Sequence, residues 1–207
     1  MENWTNFFDR IFVINLAKRT DRLLQIAEEL ERYNVPFELV TAIEQENGAE
    51  GLRMTMEGIF TKAITKRWES ILVFEDDAYF VEGVEYTNEV LNNAMDQLPK
   101  DWDMILLGGQ PVMGFKSMIS PNLLSLSDCY ATHSVGYSLN CMKRIMALGM
   151  ESPIDNWLVK HIQPENKTYI TYPILASQRE GFSDIGKTNI DWNPFIINKY
   201  NQKLNEL

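Results

Sequence analysis

The stretch ILVFEDDAY, Ile71 to Tyr79, runs four apolar residues straight into Glu75, Asp76 and Asp77. Three adjacent carboxylates repel one another, and a divalent cation relieves that repulsion. Hard ions such as Mg²⁺ or Mn²⁺ prefer oxygen ligands and complete their shell with substrate phosphates and water. On an extended backbone Glu75 and Asp77 point to one side and Asp76 to the other, so Glu75 and Asp77 form the candidate metal pair. A solvated strand end capped by acids is the plain alternative. A second cluster, INLAKRTDR, places Lys18, Arg19 and Arg22 just after another apolar run. Cations at a helix start oppose the helix dipole, so a phosphate-bearing ligand bridged by metal is one reason to keep them there, and a solvated helix N-terminus is the other reading. Neither a Walker phosphate loop nor GxGxxG occurs, which counts against a kinase or a dehydrogenase.

These groups need elements to hold them. RIFVINL (10–16), PFELVTA (36–42), SILVF (70–74) and DMILLGG (103–109) read as buried strands. Between them, a helix capped by Thr20 carries Leu23, Ala27 and Leu30 on one face, and helical spacing recurs over 54–67 and 85–98. Gly48 and Gly51 suggest a loop before the second helix. The resulting βαβαβαβ order predicts an α/β fold with a mainly parallel central sheet and helices on both faces, and such folds bind ligands at the carboxyl ends of their strands. Both charged clusters lie at such ends. Beyond Gly109 the pattern loosens. GQPVMGF reads as a covering loop, HSVGYSLN (133–140) as a strand, CMKRIMAL and PIDNWLVKHI as helices, KTYITYP as a last strand, and the remainder as loops and a tail.

The chain has 207 residues, which suits one domain over 1–207 when no linker is visible: a nucleotide-binding half at about 10–110 and an acceptor half at about 111–190. A net charge of −10 argues against a nucleic-acid partner. Cys129 and Cys141 are too few for a disulfide scaffold and read as reduced thiols. No window approaches a membrane span and no signal-peptide core is present, so a soluble, cytoplasmic protein is expected.

Taken in order, these pieces resemble glycosyltransferase family 25, the lipooligosaccharide and collagen sugar transferases of GT-A fold. INLAKRTDR is similar to the family's opening motif, TAIE to the close of its second strand, and ILVFEDDAYF to its Glu-Asp-Asp metal motif. LPKDWDMILLGG, HSVGYSLNCMKRIM, PIDNWL and YPILASQREGFSDI resemble later segments, so the likeness spans roughly residues 10 to 186. One departure is that the family usually carries Ser-His in the helix before the metal strand, where this chain has Thr55-Met56. A second resemblance is to a chlorella-virus type of glycosyltransferase that modifies the major capsid protein, which would suit a virus-encoded enzyme acting in a host cell.

The resemblance implies a UDP-sugar donor, a glycan or glycoprotein acceptor, and Mn²⁺ or Mg²⁺. Asp77 would be the direct ligand beside Glu75, and Asp76 would contact the donor ribose or sugar. Arg19 and Arg22 would meet the nucleotide or its phosphates, and Ile14, Asn15 and Leu16 would line the base pocket. Asp155 is the candidate general base if transfer inverts, or a sugar-binding residue if it retains; an ordinary helix-start acid is the alternative. His133, ranked above His161, together with Gln178 and Asp184, would contact sugar or complete the metal shell. Trp102, Trp157 and Trp192 are possible stacking surfaces, with core packing the default. A non-catalytic nucleotide-sugar or carbohydrate-binding domain and a metal-dependent phosphohydrolase are the competing function classes.

Overall fold

Ile11 and Val13 leave the first strand on one side and Phe12 and Ile14 on the other, and all four are buried. A strand covered on both faces must lie inside a sheet that has helices above and below it. The same alternation recurs in the third strand, where Ile71 and Val73 join one apolar core and Leu72 and Phe74 the other. The computed structural model describes residues 3–165, 167–184 and 186–207. Its elements are β1 (Arg10–Asn15), α1 (Thr20–Arg32), β2 (Glu38–Thr41), α2 (Gly48–Lys66), β3 (Ser70–Glu75), β4 (Ala78–Phe80), α3 (Val84–Gln97) and β5 (Met104–Leu106). Then come β6 (Phe115–Ser120), β7 (Leu123–Leu126), β8 (Ser134–Ser138), α4 (Leu139–Leu148), α5 (Ile154–His161) and β9 (Thr168–Thr171). The chain closes with β10 (Ala176–Gln178), β11 (Gly181–Ser183), β12 (Thr188–Ile190) and α6 (Asn193–Leu204).

The main sheet has eight strands in the order β2-β1-β3-β8-β5-β9-β7-β6. β1, β2, β3, β5, β9 and β6 run one way, while β8 and β7 run the other. The expected α/β architecture is present, and its sheet is mixed because β8 inserts antiparallel between β3 and β5. One core, built on Ile26 and Leu30 of α1 and Val90, Leu91 and Ala94 of α3, covers one face; α2, α4, α5 and α6 cover the other. Fully burying a side chain such as Phe12 or Phe74 contributes about 1.5–3 kcal/mol, which explains why the central strands tolerate few polar residues.

Several local expectations are corrected. Thr20 is the first helical residue of α1 and not its cap; Arg19 takes the cap position without a side-chain bond. Gly48 and Gly51 lie inside α2, whose cap is Asn47, its side chain accepting from the Ala49 amide at 3.1 Å. Gly51 belongs there for packing: a Cβ on it would fall 2.2 Å from the Ile43 carbonyl oxygen. The region read as a covering loop runs into the β6–β7 hairpin, and the supposed C-terminal tail contains β10 to β12 and α6. Both cysteines are free and buried. Among the described residues, no helix is long and apolar enough to cross a membrane.

Candidate active site

β3 ends at Glu75, and Asp76 and Asp77 form the turn into β4. The triplet is therefore not an extended stripe with Glu75 and Asp77 side by side. Arg22, from the first turn of α1, donates through Nη1 to Asp76 Oδ1 at 2.9 Å and to Asp77 Oδ2 at 3.2 Å, and through Nη2 to the Phe182 carbonyl at 2.9 Å. Glu75 is held separately, its Oε1 accepting from Thr132 Oγ1 at 2.8 Å. Gln178 Nε2 reaches Asp77 Oδ1 at 3.4 Å. Burial is the first cause of the raised pKa of all three acids. Glu75 is pushed up to about 8 by burial and then by Asp77, while Asp76 rises to about 6 with Arg22 opposing. Asp77 is also raised, against the pull of Arg22.

The turn itself is clamped from behind. The Arg179 amide donates to the Asp77 carbonyl at 2.8 Å and Arg179 Nη1 to the Ala78 carbonyl at 2.6 Å. Glu29, buried in α1, accepts from Arg179 Nη2 at 3.0 Å and from the Phe80 amide at 2.8 Å. Neither Glu29 nor Thr132 is singled out by the sequence. A Glu inside a solvated-looking helix and a Thr in a loop carry no local signal of what they hold.

A cleft of about 430 Å³ opens over this turn. Ile14, Leu16, Arg22, Glu75, Asp76, Asp77, Asp155, Gln178 and Asp184 all reach its wall, so most of the residues picked from sequence converge. One end is apolar, formed by Ile14, Leu16, Ala42, Ile43 and Leu52. Thr55 supports that end: its hydroxyl donates to the Gly51 carbonyl at 2.7 Å and accepts from the Ile43 amide at 2.9 Å. Met56 beside it packs in the core, so nothing at that position faces the cleft as an imidazole could. Asp155 sits in the first turn of α5, its Oδ1 accepting from the Asn156 amide at 2.9 Å. Its charge is felt by Glu75 across the cleft.

Four expected site residues are placed differently. Asn15 is buried, donates to the Leu16 carbonyl at 2.7 Å and does not reach the cleft wall. Arg19 is not on the cleft wall; it pairs with Asp21 at 3.0 Å and Asp184 at 2.8 Å. Asp184 lies on the cleft wall as a counter-ion of the basic cluster, also 3.3 Å from Lys18. Its partial burial works against ionisation, but Arg19 and Lys18 outweigh that and hold its carboxyl below the usual range. His133 is fully buried beside the Ala176 backbone and cannot touch an acceptor. His161 instead lies against the Trp157 ring, with centroids 4.9 Å apart.

The buried His133 makes a pH prediction. Burial lowers its pKa to about 4, so in the folded protein it stays neutral where the unfolded chain, at an ordinary value near 6.5, takes up a proton. Its contribution to stability is therefore present above pH 6.5 and is lost as pH falls towards 4. Urea unfolding at pH 7 and pH 5 should show His133→Leu losing roughly 2 kcal/mol less than the unsubstituted protein over that interval. Equal losses would show that the imidazole is not kept neutral by the fold.

The acids fit a hard divalent cation by the chemistry of the donor set. Of the three carboxylates, Asp76 and Asp77 share the Arg22 guanidinium and Glu75 pairs with no cation, while Lys18 is already paired with Glu44 at 2.5 Å and with Asp184. The excess negative charge is carried wholly by oxygen donors. Among the described residues no group of three His, Cys, Asp or Glu is arranged to close around an ion. Phosphate oxygens and water would then supply the remaining ligands, as Mg²⁺ and Mn²⁺ usually require.

No protein-family model matches the chain. Procollagen galactosyltransferase 2 of Homo sapiens is 23% identical over 238 residues, covering 89% of this chain and 38% of that protein. The probable inactive glycosyltransferase 25 family member 3 of Bos taurus is 23% identical over 197 residues, covering 78% of this chain and 33% of that protein. The chain resembles glycosyltransferase family 25. It spans well under half the length of these relatives. Among solved structures, a glycosyltransferase involved in the glycosylation of the major capsid of PBCV-1 superposes with a TM-score of 0.53 at 16% identity, covering 86% of this chain and 95% of that one. The fold is therefore of the GT-A glycosyltransferase type, and the β3–β4 turn is the place in that fold where this chain gathers its acids.

Proposed function

We propose that this chain is a cation-dependent glycosyltransferase that moves a hexose from a UDP-sugar to a hydroxyl of a glycan or glycoprotein. One observation carries the reading: a single cleft joins an apolar end, an arginine bracketed by carboxylates, and a separate carboxylate at a helix start. The apolar end accepts the base. Arg22 exchanges a carboxylate for a phosphate oxygen, a pairing that guanidinium geometry favours. Asp77 and Glu75 would hold the cation, which supplies neutralisation of the diphosphate charge as the sugar–phosphate bond breaks. Asp155 accepts the acceptor hydroxyl proton, the hydroxyl oxygen bonds to the anomeric carbon, and UDP departs with the electron pair of the broken carbon–oxygen bond.

Calorimetry of UDP with and without Mn²⁺, followed by turnover of UDP-hexoses, tests the reading. Tight UDP binding only with the cation, together with sugar transfer, is expected; absence of UDP binding overturns it. Mn²⁺-dependent binding without transfer would instead favour a nucleotide-sugar-binding domain. That second reading draws on Met56 at the family's usual His position and on a relative named as probably inactive.

The clamp behind the turn adds a prediction. Glu29→Gln keeps the acceptor for the Phe80 amide but replaces the anionic partner of Arg179, so the turn carrying Asp77 loosens. Mn²⁺-dependent UDP affinity should fall about tenfold, in the range of other outer-shell changes at metal sites. Arg32→Ala, which removes the exposed partner of Glu29 together with a contact to the Tyr33 ring, should leave it unchanged. Equal affinities for both variants would confine Glu29 to holding α1.

A further inference from the structure

Of the tryptophans, Trp4, Trp102 and Trp157 are buried and Trp68 packs against the core. Trp192 differs: it is 39% exposed and lies on the cleft wall. Phe195, 56% exposed, stands edge-on to it with ring centroids 5.9 Å apart. The indole is not a stray surface residue. Trp192, Ile196 and Tyr200 fall at i, i+4 and i+8, and the last two are buried, so α6 is locked in rotation. Tyr200 fixes it further, its hydroxyl donating to the Thr171 carbonyl at 2.8 Å.

Its place in the cleft follows from two short links. The next residue, Asn193, accepts from Ser177 Oγ at 2.8 Å, and the residue after Ser177 is Gln178, which reaches Asp77. The start of α6 is thus linked to β10, whose Gln178 shares the cleft wall with Trp192 and Asp77. A pyranose has a C–H face that is apolar and a rim of hydroxyls that is polar. An exposed indole takes the first, and polar groups of the same cleft wall such as Gln178 and Asn156 take the second.

We propose that Trp192, supported edge-on by Phe195, is a stacking platform for a pyranose ring in this cleft. The proposal rests on the glycosyltransferase reading, and two sources share its chemistry: the hexose of the donor and a hexose of the acceptor. Calorimetry with Mn²⁺ would compare the unsubstituted protein, Trp192→Ala and Trp192→Phe. The probes are UDP, UDP-glucose, UDP-galactose and, in the presence of UDP, methyl β-galactoside and methyl β-glucoside. UDP affinity serves as the control for folding and for the donor end, and should be the same in all three proteins. A three- to tenfold loss for a UDP-hexose in Trp192→Ala, recovered in Trp192→Phe, places the donor sugar on the platform. The same loss confined to a methyl glycoside places the acceptor there. Equal affinities of Trp192→Ala and the unsubstituted protein for every sugar probe overturn the platform. A protein that binds no UDP overturns the glycosyltransferase reading instead, and the methyl glycosides alone then decide the platform.

Discussion

Asp155→Asn is expected to lower turnover by roughly 10²–10⁴-fold, the usual contribution of a general base, while Mn²⁺-dependent UDP affinity stays the same. The side chain lies in the first turn of α5, on the cleft wall and apart from the Arg22 cluster. Asparagine keeps its size and can still accept from the Asn156 amide, so the helix start is preserved. What is lost is the ability to take a proton. Transfer should invert the anomeric configuration, and proton NMR of the product shows which configuration forms. A retained configuration, or near-normal turnover by the variant, would leave Asp155 as a helix-start acid or a sugar contact. The binding assignments would survive that outcome.

Asp77→Asn should abolish the Mn²⁺ dependence of UDP binding without lowering thermal stability. These two effects are usually opposed, because losing a charged group's partners tends to destabilise. Here the carboxylate is buried among Glu75 and Asp76, so removing its charge relieves a desolvation cost and repulsion, and Arg22 keeps Asp76. Asparagine can still accept from Arg22 through one oxygen. Calorimetry of UDP with Mn²⁺ and a thermal melt of the ligand-free variant measure the two arms. Undiminished cation-dependent binding would reject Asp77 as a ligand. A large drop in melting temperature would show that the acid cluster supports the fold.

The apolar runs of β1 and β3 were legible because burial on both faces leaves a continuous hydrophobic stretch, and the acids at the end of β3 were legible because a charged triplet contrasts with it. Arg22 reached the same cleft as the triplet because the carboxyl ends of parallel strands and the helix starts that follow them lie on one edge of such a sheet, whereas Asp155, on a helix that follows α4, is brought there by the packing of α5. The order of the longer elements through β5 was readable because helical and strand periods differ, while β4, three residues long, is too short to show a period.

Other features depended on partners remote in sequence. β8 is buried along its whole length and shows no alternation that would give its direction; only its pairing with β3 and β5 makes it antiparallel. The pairing of Asp184 with Lys18 and with Arg19, the latter 165 residues away, forms only when the chain folds. His133 looks like an acceptor residue until the sheet closes over it. Glu29 acquires its role only when Arg179, 150 residues away, turns towards it. By itself the sequence determined which residues could bind an anion, a cation or a proton, since those are properties of side chains and their local period. The tertiary structure decided which of them face a common space and which neutralise one another, because the Coulomb and hydrogen-bond energies that settle this act over a few ångströms and take no account of distance along the chain.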